Sequence, residues 1–583
     1  MLSDLYLSSA GEKPPLRIGV LLDTPVLAAA FASVLADVKR SDFARLELVV
    51  YNASAIPSDP PPHPHSRWAT LSSMIRNRDR RDAFAWALYS KLDQRFSSLE
   101  NDPLAEVDCA ELLEGVEALH VTPITKRFVH RFPEESLGLI RAKRLDVLLR
   151  FGFNILRGDV LNAARYGVWS FHHGDNDYYR GGPAHFWEMH EHSPLSGVIL
   201  QVLTEQLDSG IVLMKGLFAT ESGMSLKRNR VQPYWGSAHF VIAKLWELHR
   251  FGWEHVEARI IPSAGYFGKR KIYRRPANAD VIRWAVPQIL KRTGRRAWAR
   301  VARNDDAGHW QMAVRVAPWS PLCETEQPDM RGFRWIESPP DHFYADPFLI
   351  ENEGKHCVFF EDYTYSSARG VIACAELSEQ GTIGQVRLAL DTGKHVSYPY
   401  IVCDHGLIYM IPETLQSQAV HLYRCVKFPD EWKLEAELFR GPVVDTSVCK
   451  HDGLWWFFIT LIEPRGRAIG LYLFFSETLT GAWQYHPANP ISLDVRNARG
   501  AGMIEQCGGK LIRPSQDSSR RYGYAVNFSE ILKMTPYEYQ EQPIMTIGPT
   551  WNRNLLAMHT YNRVGRFEVI DGLTSRRTKS PAR

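Results

Sequence analysis

The chain has 583 residues, of which 45% are hydrophobic and 23% charged, and a formal net charge of +4. At about 150 residues per domain, this length predicts three or four folding units. The small net charge gives no support for a nucleic-acid footprint, and no stretch reaches the ~18 apolar residues of a membrane span.

Eight cysteines without a Cys-x-x-Cys pair predict reduced, mostly buried thiols. Met1–Pro15 carries no long apolar run, so a cytoplasmic location is expected. Leu16–Leu22 is an apolar run ending at Asp23 and reads as a buried strand. Val26–Val38 has helical spacing, and Leu46–Tyr51 reads as the next strand. This rhythm implies a parallel sheet with helices on its faces. Residues 52–68 are proline-rich and predict a loop, and 70–115 predict helix with a basic face. Val116–Val121, Leu145–Arg150, Val168–Phe171 and Ser196–Leu203 are further strands, and 236–252 is an amphipathic helix. Asp280–Arg303 reads as a helix carrying Lys291, Arg292, Arg295, Arg296, Arg300 and Arg303. Such a helix either packs between domains or meets an anionic lipid or phosphorylated substrate.

After about residue 308 the pattern becomes that of strands, with aromatic and β-branched runs between Gly, Asp and Asn turns. Five loose repeats begin near Tyr344-Ala345-Asp346, Val396-Ser397-Tyr398, Val444-Asp445-Thr446, Arg499-Gly500-Ala501 and His559-Thr560-Tyr561. The expected architecture is therefore an α/β Rossmann-like domain over 1–255 and a basic helical linker over 256–307. An all-β five-bladed propeller over 308–565 and a disordered basic tail over 566–583 complete it.

The chemistry-bearing motif of the first half is Gly-Val-Trp-Ser-Phe-His-His-Gly-Asp-Asn-Asp-Tyr-Tyr-Arg-Gly at 167–181, followed by Leu-Asp-Ser-Gly-Ile-Val-Leu at 207–213. His172 closes a strand, Arg180-Gly181 forms a turn, and Asp208 arrives on a later loop. This order resembles the folate-dependent formyltransferases, which include methionyl-tRNA, glycinamide-ribonucleotide and sugar-amine formyltransferases. The resemblance implies an α/β formyltransferase fold with N10-formyltetrahydrofolate as donor substrate. His172 would be the acid/base, Asp208 its partner, and Ser170 the carbonyl donor in place of the family's Asn. Phe151, Gly152, Phe153 and Asn154 would border the folate, and Arg180 and Gly181 the acceptor. His185, His190 and His192 read as surface histidines, and no metal ligand is assigned.

The second half resembles the propellers of arabinanase- and xylosidase-type glycoside hydrolases. It is closer still to the propeller module of plant glucosamine inositolphosphorylceramide transferases. The resemblance rests on Ala345-Asp346-Pro347-Phe348, Ser397-Tyr398-Pro399, Tyr409-Met410-Ile411-Pro412-Glu413, Trp455-Trp456-Phe457-Phe458 and Arg513-Pro514-Ser515-Gln516-Asp517. It implies carboxylates around a central channel, with Asp346, Glu361, Glu413, Asp445 and Asp517 as candidates. Asp346, Glu413 and Asp445 are expected to bind the substrate.

Together these readings predict an N-formyltransferase acting on an amino sugar or glycoconjugate, with a folate donor, a glycan acceptor and no nucleic-acid partner. The alternatives are a glycan-binding or glycan-processing propeller protein with a degenerate formyltransferase domain, or hydrolysis of the formyl-folate.

Overall fold

A computed structural model describes residues 2–9, 11–54, 82–206, 210–302, 308–317 and 329–575, the side chains of 292–302 excepted. The chain is mostly β, with an α/β region at its N-terminal end. It divides into two units, Met1–Arg292 with Arg465–Ala468, and Thr293–Pro464 with Ile469–Arg583.

The first unit is built on β1 (Leu16–Leu22), α1 (Ala29–Arg40), β2 (Ala44–Asn52), α2 (Phe84–Phe96), β3 (Glu117–Val121), β4 (Val147–Arg150), β5 (Val168–His172), β6 (Leu195–Val202), β7 (Ile211–Ala219), α3 (Phe240–Phe251) and the part of α4 (Asn278–Ala302) up to Arg292. Its sheet runs β7-β6-β5-β4-β1-β2-β3. β5, β4, β1, β2 and β3 are parallel, β6 pairs antiparallel with β5, and β7 pairs antiparallel with β6. The central strands are apolar on both faces because both are covered: Ile18, Val20, Leu21 and Leu22 are fully buried. The loop after β4 lies against the end of β1, and a Cβ on Gly152 would fall 2.3 Å from the Asp23 backbone nitrogen. Only glycine permits that approach.

Two expectations change here. Of 70–115, only Phe84–Phe96 is a long helix among the described residues. Glu106–Asp108 is instead a short strand pairing with Val26–Ala28, which delays α1 to Ala29. The proline-rich loop falls mostly outside the described residues.

The second unit contains β8 (Gly308–Val316), β9 (His342–Asn352), β10 (Lys355–Thr364), β11 (Ser397–Asp404), β12 (Leu407–Glu413), β13 (Val443–His451), β14 (Leu454–Glu463), β15 (Arg499–Gly500), β16 (Lys510–Asp517), β17 (Tyr561–Val564) and β18 (Phe567–Ser575). Four antiparallel sheets follow one another along the chain, opened by β9-β10, β11-β12, β13-β14 and β15-β16. A fifth joins the two ends of the unit, β8 pairing with β18 from Gly308↔Ser575 to Val316↔Phe567. The expected tail therefore begins as a buried strand, because β8 needs a partner; 576–583 lie outside the described residues.

Apolar side chains fill the spaces between sheets. Met312, Leu349, Val358 and Val569 pack the fifth against the first. Val526, Phe528 and Ile570 pack the fourth against the fifth, and Trp456, Leu473 and Ile531 the third against the fourth. Phe359 meets Trp432 between the first and second, and Phe439 meets Phe474 between the second and third. Among the described residues six cysteines are free and Cys507 is disulfide-bonded, against the expectation of reduced thiols.

Candidate functional site

The repeats of the second half have a structural cause. In β9, β11 and β13 the ladder skips two residues at the same place: Ala345 pairs with Glu361 and Phe348 with Phe359, Ser397 with Glu413 and Tyr400 with Ile411, Val444 with Thr460 and Ser447 with Phe458. Each bulge holds one residue in the left-handed region, Asp346 at φ 50°, Tyr398 at 45° and Asp445 at 43°. Pro347 and Pro399 are tolerated in these strands because the bulge leaves them outside the ladder.

Opposite the bulges, the second strand of each sheet presents a polar residue: Glu361, Glu413 and Thr460. In the fourth sheet Gln516 takes this position opposite Arg499, and in the fifth Asp571 takes it opposite Thr560. Hydrogen bonds also link residues of different sheets. Tyr398 Oη accepts from Gly502 N at 2.8 Å, Thr460 donates to Ala498 O at 3.0 Å, Tyr561 N donates to Ala501 O at 2.9 Å, and Asn562 donates to Pro347 O at 2.6 Å.

The acidic groups meet Arg499 and His559. Asp571 is fully buried and accepts four hydrogen bonds, from His559 Nδ1 at 2.6 Å, His559 N and Thr560 N at 3.0 Å, and Asp346 N at 3.1 Å. Thr560 Oγ1 donates to Asp346 Oδ1 at 2.9 Å. His559 stacks on Trp310, ring centroids 3.9 Å apart. On the other side, Arg499 Nε donates to Asp445 and its Nη2 lies 3.6 Å from Glu413. Gln516 donates to Asp445 at 2.9 Å and to Gly500 O at 2.8 Å. The Arg499 guanidinium also covers the ring of Tyr522, which is half exposed.

Five carboxylates against Arg499 and His559 cannot all carry charge in so buried a place. Burial and the neighbouring Asp346 and Glu413 push Glu361 well above the usual carboxylate range. Burial and Asp445 do the same to Glu413, Arg499 opposing. Burial lifts Asp346 to about 6 despite His559. For Asp571, burial is outweighed by His559 and the backbone donors, and its carboxyl is held below the usual range. Burial would lower the His559 imidazole, but the two aspartates hold it above its ordinary value. Among the described residues Asp346, His559 and Asp571 also place one ligand atom each within 4.8 Å of the others, close enough to hold a cation, where the sequence assigned no metal ligands. The four bonds Asp571 already accepts make a closed ion pair with His559 without one.

Of the expected carboxylates, Asp346, Glu361, Glu413 and Asp445 thus come together. Asp517 does not: it is bonded to Ser519 N at 2.9 Å, and its neighbour Gln516 faces the cluster. Sequence reasoning missed Asp571, His559, Arg499 and Tyr522 as functional groups. Alignment of the second strands would have found Asp571, an acid inside an apolar run at the position of Glu361 and Glu413.

The first-unit motif is arranged differently. Ser170 is buried, and its Oγ accepts from Arg150 Nη1 at 3.2 Å. Arg150 Nη2 donates to the carbonyls of Phe153 and Asn154 at 2.8 and 3.0 Å. His172 Nε2 is bonded to Tyr179 O at 2.8 Å. Phe153 is a core residue against Phe132, with its N–H on Asp23 at 2.8 Å. Phe151 packs beside Phe31, and Asn154 contacts His130. Arg180 donates to Asn176 O and lies over Tyr266, and Gly181 bridges to Tyr273. Asp208 lies outside the described residues. His185, expected on the surface, is buried beside Glu188.

Residues 335–561 match the family described as glucosamine inositolphosphorylceramide transferase 1, N-terminal. The protein named glucosamine inositolphosphorylceramide transferase 1 in Oryza sativa subsp. japonica is 34% identical over 246 residues, 41% of this chain and 32% of that protein. Its namesake in Arabidopsis thaliana is 33% identical over 211 residues, 35% of this chain and 27% of that protein. The chain spans about a third of the length of the curated relatives it matches. A family 117 glycoside hydrolase of Zobellia galactanivorans covers 46% of this chain and 92% of its own at 10% identity and a TM-score of 0.30. Glycinamide ribonucleotide transformylase 1 of Symbiobacterium toebii covers 44% and 98% at 14% identity and 0.27. At such scores neither structure bears on activity.

These findings correct the expected function. The matched relatives are named as transferases of glucosamine, so N-formyl transfer, its N10-formyltetrahydrofolate donor and a folate partner are withdrawn. The geometry agrees: the oxyanion donor expected at Ser170 is under Arg150, and Phe153 fills the core rather than lining a folate site.

Proposed function

We propose that the chain acts in glycosyl transfer and that its second unit, with its five sheets as the blades of one propeller, holds the sugar. The relatives' names point to glucosamine and an inositol-phosphate lipid as the chemistry to test first. The observation that carries this reading is the excess of buried carboxylates over cations on the inner strands. Glu361 and Glu413, held well above the usual carboxylate range by burial and their acidic neighbours, donate hydrogen bonds to sugar oxygens. Asp346, ionised above about pH 6 and oriented by Thr560, takes the proton of an attacking hydroxyl. That oxygen bonds to the anomeric carbon as the leaving oxygen departs with its electron pair and is protonated by Glu413. Arg499 and Gln516 hold Asp445 as a fixed wall, and Tyr522 offers a stacking face.

The full chain incubated with nucleotide-activated amino sugars and an inositol-phosphate acceptor is expected to yield a glycosylated product by mass spectrometry. Asp346→Asn should slow it about 10²–10⁴-fold, the usual worth of a general base. Equal turnover by the variant would remove Asp346 from the chemistry, and neither turnover nor sugar binding by wild type would defeat the reading.

A further inference from the structure

The first unit carries an exposed basic and apolar surface among its described residues. Between 266 and 291 the sequence holds seven Lys and Arg residues and a single carboxylate, Asp280. Lys269 pairs with Glu191 and Arg270 with Asp280. Lys271, Arg274, Arg275, Arg283 and Lys291 are exposed, and no ion pair is recorded for them among the described residues. On α4, in the same stretch, Val281 and Trp284 turn inward to a cluster with Phe186 and Tyr273. Ile282, Val286 and Ile289, at helical spacing, turn outward with Leu290, Ile282 being 55% and Leu290 65% exposed.

The neighbouring helix repeats the pattern. α2 packs Trp86 and Tyr89 inward, Tyr89 meeting Trp284 edge-on at 5.4 Å, and Ala85 N donates to Asn278 at 2.7 Å. Its outer stripe is Phe84, Leu88, Leu92 and Phe96, every fourth residue, with Phe96 74% exposed. Lys91 and Arg95 border that stripe. Single exposed apolar residues are ordinary, but two adjacent helices with apolar stripes edged by cations are not.

We propose that this surface docks on an anionic phospholipid membrane, with α4 and α2 lying in the interface plane. An apolar stripe flanked by Lys and Arg is the form that binds a bilayer without crossing it. Neither helix spans: among the described residues no helix is long and apolar enough to cross a membrane. The charge selects the occupant. A second copy of this surface would set cations against cations, whereas an anionic leaflet complements them. Docking leaves the second unit's chemistry unspecified, so this inference stands apart from the glycosyl-transfer reading.

The test is sedimentation of the full chain with vesicles of phosphatidylcholine alone and of phosphatidylcholine with phosphatidylserine. Binding is expected only to the anionic vesicles, and to weaken as salt rises. Combined Lys271→Gln, Arg274→Gln and Arg275→Gln should lower partitioning about a hundredfold, each cation near the surface being worth roughly fivefold. Ile282→Ser with Ile289→Ser should also lower it, with the thermal midpoint unchanged. Equal binding to both vesicle types, salt-insensitive binding, or no binding would overturn the proposal. So would a self-association that the serine variant abolishes, which would make the occupant a second copy.

Discussion

The two units differ in which polar groups they bury. Around Ser170 and His172, Arg150 serves Ser170 and the 153–154 carbonyls and Tyr179 O meets His172, while His173 Nε2, both ring nitrogens of His185 and Glu188 Oε1 are buried with no hydrogen-bond partner among the described residues. Around Asp346, carboxylates outnumber cations, and protons must make up the difference. An excess of buried carboxylates over cations costs stability and is kept where a ligand uses it.

Breaking the closed pair inside the acidic cluster should give the largest effect. Asp571→Ala leaves three backbone N–H groups and the His559 cation without their acceptor, and is expected to cost about 3–5 kcal/mol in denaturant unfolding. Removing an unmatched carboxylate should act with the opposite sign. A carboxyl raised to about 6 binds its proton more tightly when folded, so it favours the fold at low pH and disfavours it as pH rises from about 4 to 6. Asp346→Asn should abolish that loss, gaining up to roughly 3 kcal/mol over wild type at pH 7. Asp571, whose carboxyl is lowered, contributes in the other direction, its stabilisation being lost only as pH falls below the ordinary aspartate range. Parallel pH–stability curves for wild type and Asp346→Asn would erase the contrast between the units. The smallest effect is expected at Ser170→Ala, where one hydrogen bond from a multiply bonded Arg150 is lost, about 1 kcal/mol or less.

Much of the architecture was legible. Continuous apolar runs announced the parallel strands, and the recurrence of Asp346, Tyr398 and Asp445 marked bulges at one place in three sheets. The motif at 167–181 was less informative about chemistry than about local structure. Its spacing says where a strand ends, not whether Arg150 will occupy the serine. Asp571 escaped because the last repeat was read only as far as Tyr561, whereas its second strand pairs back to residues 308–316. That partner is more than 250 residues away in sequence, beyond any local pattern. Asp517 was chosen over Gln516 because an acid was sought where the register places an amide.

The most direct test of the central claim is calorimetric binding of a glucosamine-bearing inositol phosphate to wild type and to Glu361→Leu, each with its thermal midpoint measured. If the buried carboxylates are the sugar site, wild type binds, and the variant, which has no donor at this place, loses affinity while keeping or raising its midpoint. Undiminished affinity in a folded Glu361→Leu variant would contradict it.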